Sequence, residues 1–494
     1  MSFYIALILF THQLQGDSMA MTGEYMPAIT RISESHDTMP DQKNGVIPRV
    51  TVSAMSIGSS MDMYALRKDI SPLEDSFKKR KLDETLFRDF VTSDKEWRDA
   101  TVKINDMRAQ KNKLSIAINA NRGDPALLEQ ARILDKGMIE LEKRAKELES
   151  KRELLLLALP NIIDPLQPTD IVKPIIVVGK PRVAAARVAD FEEQYPGVEF
   201  MQVKTVKTQY DIIKEYGLVN EERGAELSGA RFYYKQNELT LLDLALSLHA
   251  MRLLTQSGFS PITPPYLVKR AVEARATTLD AFEETLYKVD GEDLYLIPTA
   301  EHPIAAFNSG KVIPEADLPL RYAGFSTAFR KEAGAHGKDT KGIYRNHHFN
   351  KVEQYIITPP GQVEDELNRV INNQAALLLS LNIPVRAIYL PTWDMDKKAI
   401  LHVDIEGWFP GQNRFGELGS HATVGSWQAS RLNVKYLPKG QQTPVHVHTI
   451  YGTMVPVERT LACMLENNLG EDGTIRVPKV LADMIGIDEI KPRK

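Results

Sequence analysis

The feature that most narrows the possible folds is a pair of long apolar repeats broken by a single turn. Trp97, Ala100, Ile104, Met107, Leu114 and Ile118 recur at alternating steps of three and four, with one skipped position filled by Lys111. The turn signal Asn121-Arg122-Gly123-Asp124-Pro125 follows, and the pattern resumes through Leu127, Ala131, Leu134, Met138, Leu141, Ala145, Leu148 and Leu155. Gly, Asp and Pro together stop one helix and start the next. Two heptad-patterned helices joined by a tight turn pair as an antiparallel coiled coil. Thirty residues of helix rise ~45 Å, so an arm over about Asp94 to Leu157 is expected to project beyond a body. Its flanks are dense in charge (Lys143, Arg144, Lys146, Lys151, Arg152). They suit either a solvated spacer or an arm that tracks a phosphate backbone, and charge alone does not choose between them.

The chain of 494 residues has length for two to four domains at roughly 100–200 residues each. With 43% apolar and 26% charged residues, collagen-like, fibrous and simply disordered chains are excluded. Lysine plus arginine (61) nearly balances aspartate plus glutamate (65), for a net charge of -4. That sum gives no global reason to expect nucleic acid, although a local basic surface can hide inside it. The single cysteine, Cys463, excludes an intrachain disulfide framework and a multi-cysteine zinc site, and fits the reducing cytoplasm.

Residues 1–60 read as a disordered N-terminal extension. The run Phe3 to Phe10 is too short for a bilayer, which needs ~20 residues, and no lysine or arginine precedes it as a secretory signal would require. Three basic residues against five acidic ones up to Ser60 argue against a mitochondrial presequence, and Met61 or Met63 would be an equally natural start. Leu159-Pro160 ends the arm, and Pro160, Pro165, Pro168 and Pro174 punctuate a connector. From roughly Gly217 onward, short β-branched runs mix with helical stretches without regular strand–helix alternation. The expected class is therefore α+β, an antiparallel sheet with helices packed against it. The division reads 1–60 extension, 61–170 helical arm, 171–494 α+β body.

Several chemistries are absent from the sequence. There is no G-x-x-x-x-G-K-[ST], no G-x-G-x-x-G after a strand, no H-E-x-x-H and no G-x-S-x-G. The pairs His347-His348 and His446-Val447-His448 lack a third ligand at diagnostic spacing. The informative block runs from Leu294 to Glu353. Read as a strand, Phe325 to Glu332 puts Arg330 and Glu332 on one face with Ser326 and Ala328. A loop with Gly334, Gly337, Gly342, Lys338 and Lys341 follows. Arg345 to Glu353 then returns with Arg345, His347, Phe349 and Glu353 on one face. Guanidinium, carboxylate and ring suit phosphate, exocyclic amine and base of a nucleotide; a surface salt-bridge ladder over a core phenylalanine is the plainer alternative.

The segment F-R-K-E-A-G-A-H-G-K-D-T-K-G-I-Y-R-N-H-H-F-N-K-V-E closely resembles motif 2 of class II aminoacyl-tRNA synthetases, in the form used by the seryl-tRNA synthetase family. Gly291 to Glu301 (G-E-D-L-Y-L-I-P-T-A-E) is similar to that family's serine-binding T-x-E segment. Arg223 to Tyr234 and Gly258 to Val268 resemble the start of the catalytic domain and the proline-bearing motif 1. Asp404 to Ser420 and Glu458 to Asn468 resemble the approach to motif 3 and motif 3 itself. The similarity runs from about Tyr64 to the C-terminus and includes the arm, which in this family grips the long variable arm of serine tRNA.

The resemblance implies a class II catalytic domain behind a coiled-coil arm, the activation of L-serine by ATP, and transfer of the seryl group to the 3' end of tRNA. Carried over by position, Arg330 contacts the α-phosphate, Glu332 the adenine amine, and Phe349 stacks on the base. Arg459 takes the γ-phosphate end. Lys331, Asn346, Glu417, Leu418, Gly419 and Ser420 complete an ATP site, with Glu417 a ligand for Mg²⁺. Thr299, Ala300, Glu301, Arg330, Glu353, Thr423 and Thr453 form the serine site. A homodimer, a cytoplasmic location, no membrane association and no zinc are further expectations. Threonine at 423 stands where the family commonly has asparagine, and Glu458 precedes the motif 3 arginine where a small residue is usual. A carboxylate there repels ATP unless it points away. Tyr451 and Met454 also replace smaller or more polar residues. A paralogue that binds RNA or a partner without charging tRNA is the second reading; loss of Arg330, Glu332, Glu301 or Arg459 would mark it, and all four are present.

Overall fold

Helix formation begins ahead of the heptad pattern. In a computed structural model that describes residues 49–52, 63–121, 124–278, 285–332 and 341–493, the part from Val52 onward belongs to one unit. The extension expected over 1–60, apart from 49–52, lies outside the described residues, as do Arg122 and Gly123 of the turn and Gly334, Gly337 and Lys338 of the glycine-lysine loop. Two short helices, α1 (Met63–Lys68) and α2 (Ser71–Lys79), lead into α3 (Thr85–Ala120) and α4 (Pro125–Ala158). The arm's first helix thus starts at Thr85 and not near Asp94. Leu86, Phe87 and Phe90 join the core cluster of the body together with Leu155 and Leu156 at the end of α4, and not the arm's own core, which takes them out of the heptad stripe. At the start of α4, the Asp124 carboxylate accepts from Ala126 N–H at 2.9 Å with Pro125 just inside, satisfying a helix-end donor.

Ion pairs Arg108–Glu142 and Lys111–Asp135 run in opposite directions along the two helices, so α3 and α4 are antiparallel. Ala100, Ile104, Ala145 and Leu148 form the arm's buried core, with Trp97 and Leu141 against it. Below them Asp94 accepts from Arg67, Arg98 and Arg152 at 2.6–3.0 Å and fixes the root.

The body is built on one eight-stranded sheet: β1 (Lys173–Val178), β2 (Ser260–Ile262), β3 (Leu320–Phe329), β4 (His348–Thr358), β5 (Val385–Tyr389), β6 (Leu401–Phe409), β7 (Arg414–Gly425) and β8 (His448–Pro456). Their order is β1-β5-β6-β7-β8-β4-β3-β2, and every pair in it is antiparallel except β3 with β2. This is the α+β, antiparallel class expected. Among the helices that bear on the sheet are α5 (Glu238–Gln256), α6 (Val363–Ser380) and α7 (Val457–Asn468). The core is shared with the root of the arm, since Leu73, Phe77, Phe90 and Leu159 pack in one cluster with Tyr355, Ile388, Leu390 and Trp427.

The hairpin around Arg330 departs from the simple alternation. β3 ends at Phe329, and Glu332 takes a left-handed φ of 49°, so Arg330 and Glu332 do not continue a strand face. β4 begins at His348, leaving Arg345 and His347 ahead of it. Arg330 N–H donates to His347 O at 2.9 Å and closes the end of the ladder, where Ala328 stands opposite Phe349.

Candidate active site

Alternation along β4 divides its residues between helices and cavity. Asn350 Nδ2 donates to Asp243 of α5 at 2.7 Å, and Gln354 Nε2 to Val370 O of α6 at 2.9 Å. The opposite face carries Phe349, Lys351 and Glu353, with Thr453 of β8 across from Glu353. On that side lies a cavity of ≈ 360 Å³.

At one end Arg330, Phe349, Glu417, Ser420 and Arg459 meet. The Arg330 guanidinium lies over the Phe349 ring at 5.2 Å, and its Nε donates to Pro298 O at 3.2 Å. Burial, and then Arg459, lower its pKa from the usual arginine value. Arg459, in the first turn of α7, donates from Nη1 to Glu417 Oε2 at 3.0 Å and from Nε to Tyr344 O at 3.3 Å. Burial works against its charge, but Glu417 outweighs burial and raises its pKa. Partial desolvation pushes Glu417 up, while Arg459, Arg330 and Lys351 outweigh it and hold it below the ordinary carboxylate value. Ser420 Oγ donates to the other Glu417 oxygen at 3.4 Å. Two guanidiniums around a carboxylate that is 46% exposed give an end suited to a polyphosphate with its cation. Beneath it, Gly419 carries no side chain because Gln374 of α6 occupies the space. A Cβ there would stand 2.3 Å from Gln374 Nε2, which donates to Leu418 O at 2.7 Å.

At the other end Thr299 Oγ1 donates to Glu353 at 2.8 Å and accepts from the Glu301 N–H at 3.2 Å; Glu353 also pairs with Lys351. Glu301 accepts from Gln428 Nε2 at 2.8 Å and faces Lys398 Nζ at 3.4 Å. Lys398 donates to Asp396 at 2.6 Å and lies 4.5 Å from the Tyr451 ring centre, and the Tyr451 hydroxyl donates to the same carboxylate at 3.0 Å. Burial opposes the charge on Lys398, but Asp396 and Glu301 together raise its pKa. Burial likewise opposes the charge on Asp396, yet Lys398 holds it below the carboxylate range. Burial lowers His402 to about 4, so it is neutral at pH 7. Glu301, Asp396 and Lys398 leave one net negative charge, and Thr453 adds a hydroxyl. A small molecule bearing an ammonium and a polar tip fits that balance.

The seryl-tRNA synthetase N-terminal domain family matches residues 61–163, and the tRNA synthetase class II core domain (G, H, P, S and T) family matches residues 285–468. A serine–tRNA ligase of Pyrococcus horikoshii is 40% identical over 431 residues, covering 85% of this chain and 94% of that protein. The chain belongs to the seryl-tRNA synthetase family. The crystal structure of seryl-tRNA synthetase from Pyrococcus horikoshii complexed with ATP superposes with a TM-score of 0.84 at 38% identity, covering 88% of this chain and 100% of that one. The cytoplasmic serine–tRNA ligase of Naegleria fowleri in complex with AMP gives 0.74 at 30%, covering 86% and 96%. As a member of the seryl-tRNA synthetase family, this class II enzyme activates serine with ATP and transfers it to tRNA.

Of the residues that the family resemblance selects, Thr299, Glu301, Arg330, Phe349, Glu417, Leu418, Gly419, Ser420, Thr453 and Arg459 line the one cavity, and Glu353 is buried beside it. Glu332 and Asn346 line a small adjoining crevice with Phe349 and Arg459. Glu332 accepts there from Arg345 Nη1 at 3.2 Å. Asn346 donates to Ile343 O at 2.7 Å, and its buried Oδ1 has no partner among the described residues. Three are not brought in. Lys331 is exposed and lines neither space, Ala300 packs into the hydrophobic core, and Thr423 accepts from Gly425 N–H at 3.4 Å on the face of β7 opposite Ser420.

Glu458 lines the same crevice, but its carboxylate is already paired. It points to Lys235 Nζ at 2.9 Å and accepts from Asn350 N–H at 2.9 Å; burial, against the pull of Lys235, brings its pKa to about 7. Met454 is core, whereas Tyr451 belongs to the cavity wall. Lys351, Asp396, Lys398 and His402 also line the cavity and were not read from the sequence. Lys351 shares a strand face with Phe349 and Glu353 and was open to that reading. Asp396 and Lys398 sit in a turn segment without period and gave no signal.

Proposed function

We propose that serine and ATP meet in this cavity with the roles divided between its two ends. Glu301, Thr299 and Glu353 hold the serine ammonium, and Thr453 faces its hydroxyl. A substrate lacking that hydroxyl leaves a buried polar group unpaired, which separates serine from alanine. The serine carboxylate attacks the α-phosphorus, the bond to the bridging oxygen of the β-phosphate breaks, and pyrophosphate leaves. The carboxylate needs no deprotonation, so the chain's contribution is position and charge. Arg330 neutralises the α-phosphate, Arg459 the distal phosphates, Phe349 stacks on adenine, and Glu332 with Asn346 reads the edge of the base.

Magnesium fits the donors present, because Glu417 and Ser420 are hard oxygen ligands at the phosphate end and magnesium takes much of its shell from phosphate and water. When bound there it supplies neutralisation of the triphosphate. The zinc-free reading is supported by Cys463, a fully buried thiol that burial and Glu466 push well above its usual pKa, the opposite of a thiolate ligand.

The arm (61–170) is read as the grip on the variable arm of serine tRNA and 171–494 as the catalytic region. Homodimerisation is supported by Leu241, Leu244 and Leu248, 44–62% exposed along one side of α5, beside the short edge strand β2. A cytoplasmic location accords with the lone buried thiol, and among the described residues no helix is long and apolar enough to cross a membrane.

The observation that carries the reading is the meeting of Arg330 and Arg459 with Thr299 and Glu301 on one cavity. Serine-dependent ATP–pyrophosphate exchange tests it, with threonine, alanine and cysteine as comparisons. Exchange with serine alone is expected. A folded protein that binds tRNA but exchanges with no amino acid would instead be the non-charging paralogue.

A further inference from the structure

The segment Asp396–Ile400 joins β5 to β6 through turns, without a ladder to hold its carbonyls. Its side chains Asp396 and Lys398 nevertheless form the wall of the amino-acid end. The carbonyls are held from outside, by the root of the arm. Arg80, at the C-terminal end of α2, donates from Nη1 to Asp396 O at 3.2 Å and from Nη2 to Ala399 O at 2.8 Å. Asn161, just past the end of α4, donates from its backbone N–H to Lys397 O at 2.7 Å and from Nδ2 to Lys398 O at 2.8 Å. Asp164 N–H donates to Ile400 O at 2.9 Å. Five successive carbonyls thus find their donors in the root.

The donors are themselves tied together. Ser76 Oγ donates to Asn161 O at 2.6 Å and accepts from Arg80 Nε at 3.3 Å, and Asn161 Nδ2 reaches Val424 O of β7 at 2.9 Å. Arg80 and Asn161 are almost fully buried, and a buried carbonyl that loses its donor is destabilised where it stands. The segment's own turn adds the Ala399 N–H to Asp396 O at 3.0 Å and β7 takes the Ile400 N–H at 2.8 Å, and the root supplies the donors for the carbonyls between.

We infer that Arg80 and Asn161 are positioning residues for the serine site, acting through Lys398 and Asp396, so that the root of the tRNA-binding arm sets the geometry of the amino-acid pocket. This rests on the reading of Glu301 as part of the serine site. It gives the arm a route to the chemistry that passes through packed, hydrogen-bonded groups.

Exchange assays without tRNA, with the KM for serine and for ATP measured separately, test it. Asn161→Ala and Arg80→Lys are expected to raise the serine KM about tenfold and to leave the ATP KM within about twofold. In a cycle with Lys398→Met, adding Asn161→Ala should raise the serine KM no further. An unchanged serine KM, a parallel rise for both substrates, or additivity in the cycle would each overturn the inference. If Asn161→Ala fails to fold, Arg80→Lys, which retains a cation, gives the same reading. Glu301→Gln separates the two ideas. If it leaves the serine KM unmoved, the serine site itself is misplaced. If it raises that KM while Asn161→Ala and Arg80→Lys are silent, only the positioning role falls.

Discussion

Beyond its root, among the described residues, the arm buries only Ala100, Ile104, Ala145 and Leu148, and the rungs farther out are exposed pairs such as Lys111–Asp135. Around the cavity the reverse holds, because Lys351, Lys398, Glu301 and Glu353 are charged groups taken out of water and balanced against one another. The arm spends little on desolvation and each rung is nearly dispensable. In the cavity each charge depends on its partner, since removing one member of a buried pair leaves the other uncompensated. A surface for gripping a long flexible ligand can be built from weak, repeated contacts, whereas a site for chemistry needs interlocked ones.

The largest effect should come from the interlocked part. Arg330→Ala is expected to lower serine-dependent exchange by about 10²–10³-fold while tRNA affinity stays within about twofold. Excising residues 106–140 of the arm, which leaves its buried core and root, should do the opposite: exchange persists and charging of serine tRNA is lost. Unchanged charging would remove the arm from tRNA recognition.

The root is the place where the two regimes meet, and Asp94→Asn should cost about 2–4 kcal/mol in unfolding measurements, because three arginines lose their carboxylate. Burial opposes the Asp94 charge, but Arg67 and Arg152 outweigh it and hold the pKa at about 2, below the usual carboxylate range. A depressed folded-state pKa means this stabilisation is complete above about pH 4 and is lost as the pH falls through about 2. The wild-type and Asp94→Asn stabilities should therefore converge in acid. Lys111→Ala should be the mildest change, no more than about 0.5 kcal/mol, and a larger loss would mean that the outer rungs are not independent.

The same contrast explains what could be read in advance. The arm announced itself because each helix carries its own period, and only its start at Thr85 was missed, where Phe87 and Phe90 face a core that lies far away in sequence. Arg330, Phe349, Glu417 and Arg459 were legible as ordered segments resembling a family. The end of β3 at Phe329 was not, because the turn at Glu332 is set by contacts with Arg345 and the His347 carbonyl. Thr423 was readable but misread: on a strand, a residue three positions from Ser420 faces the other way. Lys398 and Asp396 were invisible because donors from Arg80 and Asn161, hundreds of positions away, hold their segment in place.

Gln374, seated in the space that a side chain at position 419 would need, has a bearing on inhibitor design. The cavity floor beneath Gly419 has no slack, so a compound cannot gain affinity by reaching deeper there. The opposite wall is made of Asp396, Lys398, His402 and Tyr451, four side chains with distinct donors, acceptors and a ring face. A serine mimic extended toward that wall meets a carboxylate, an ammonium, an imidazole and a phenol within one short reach.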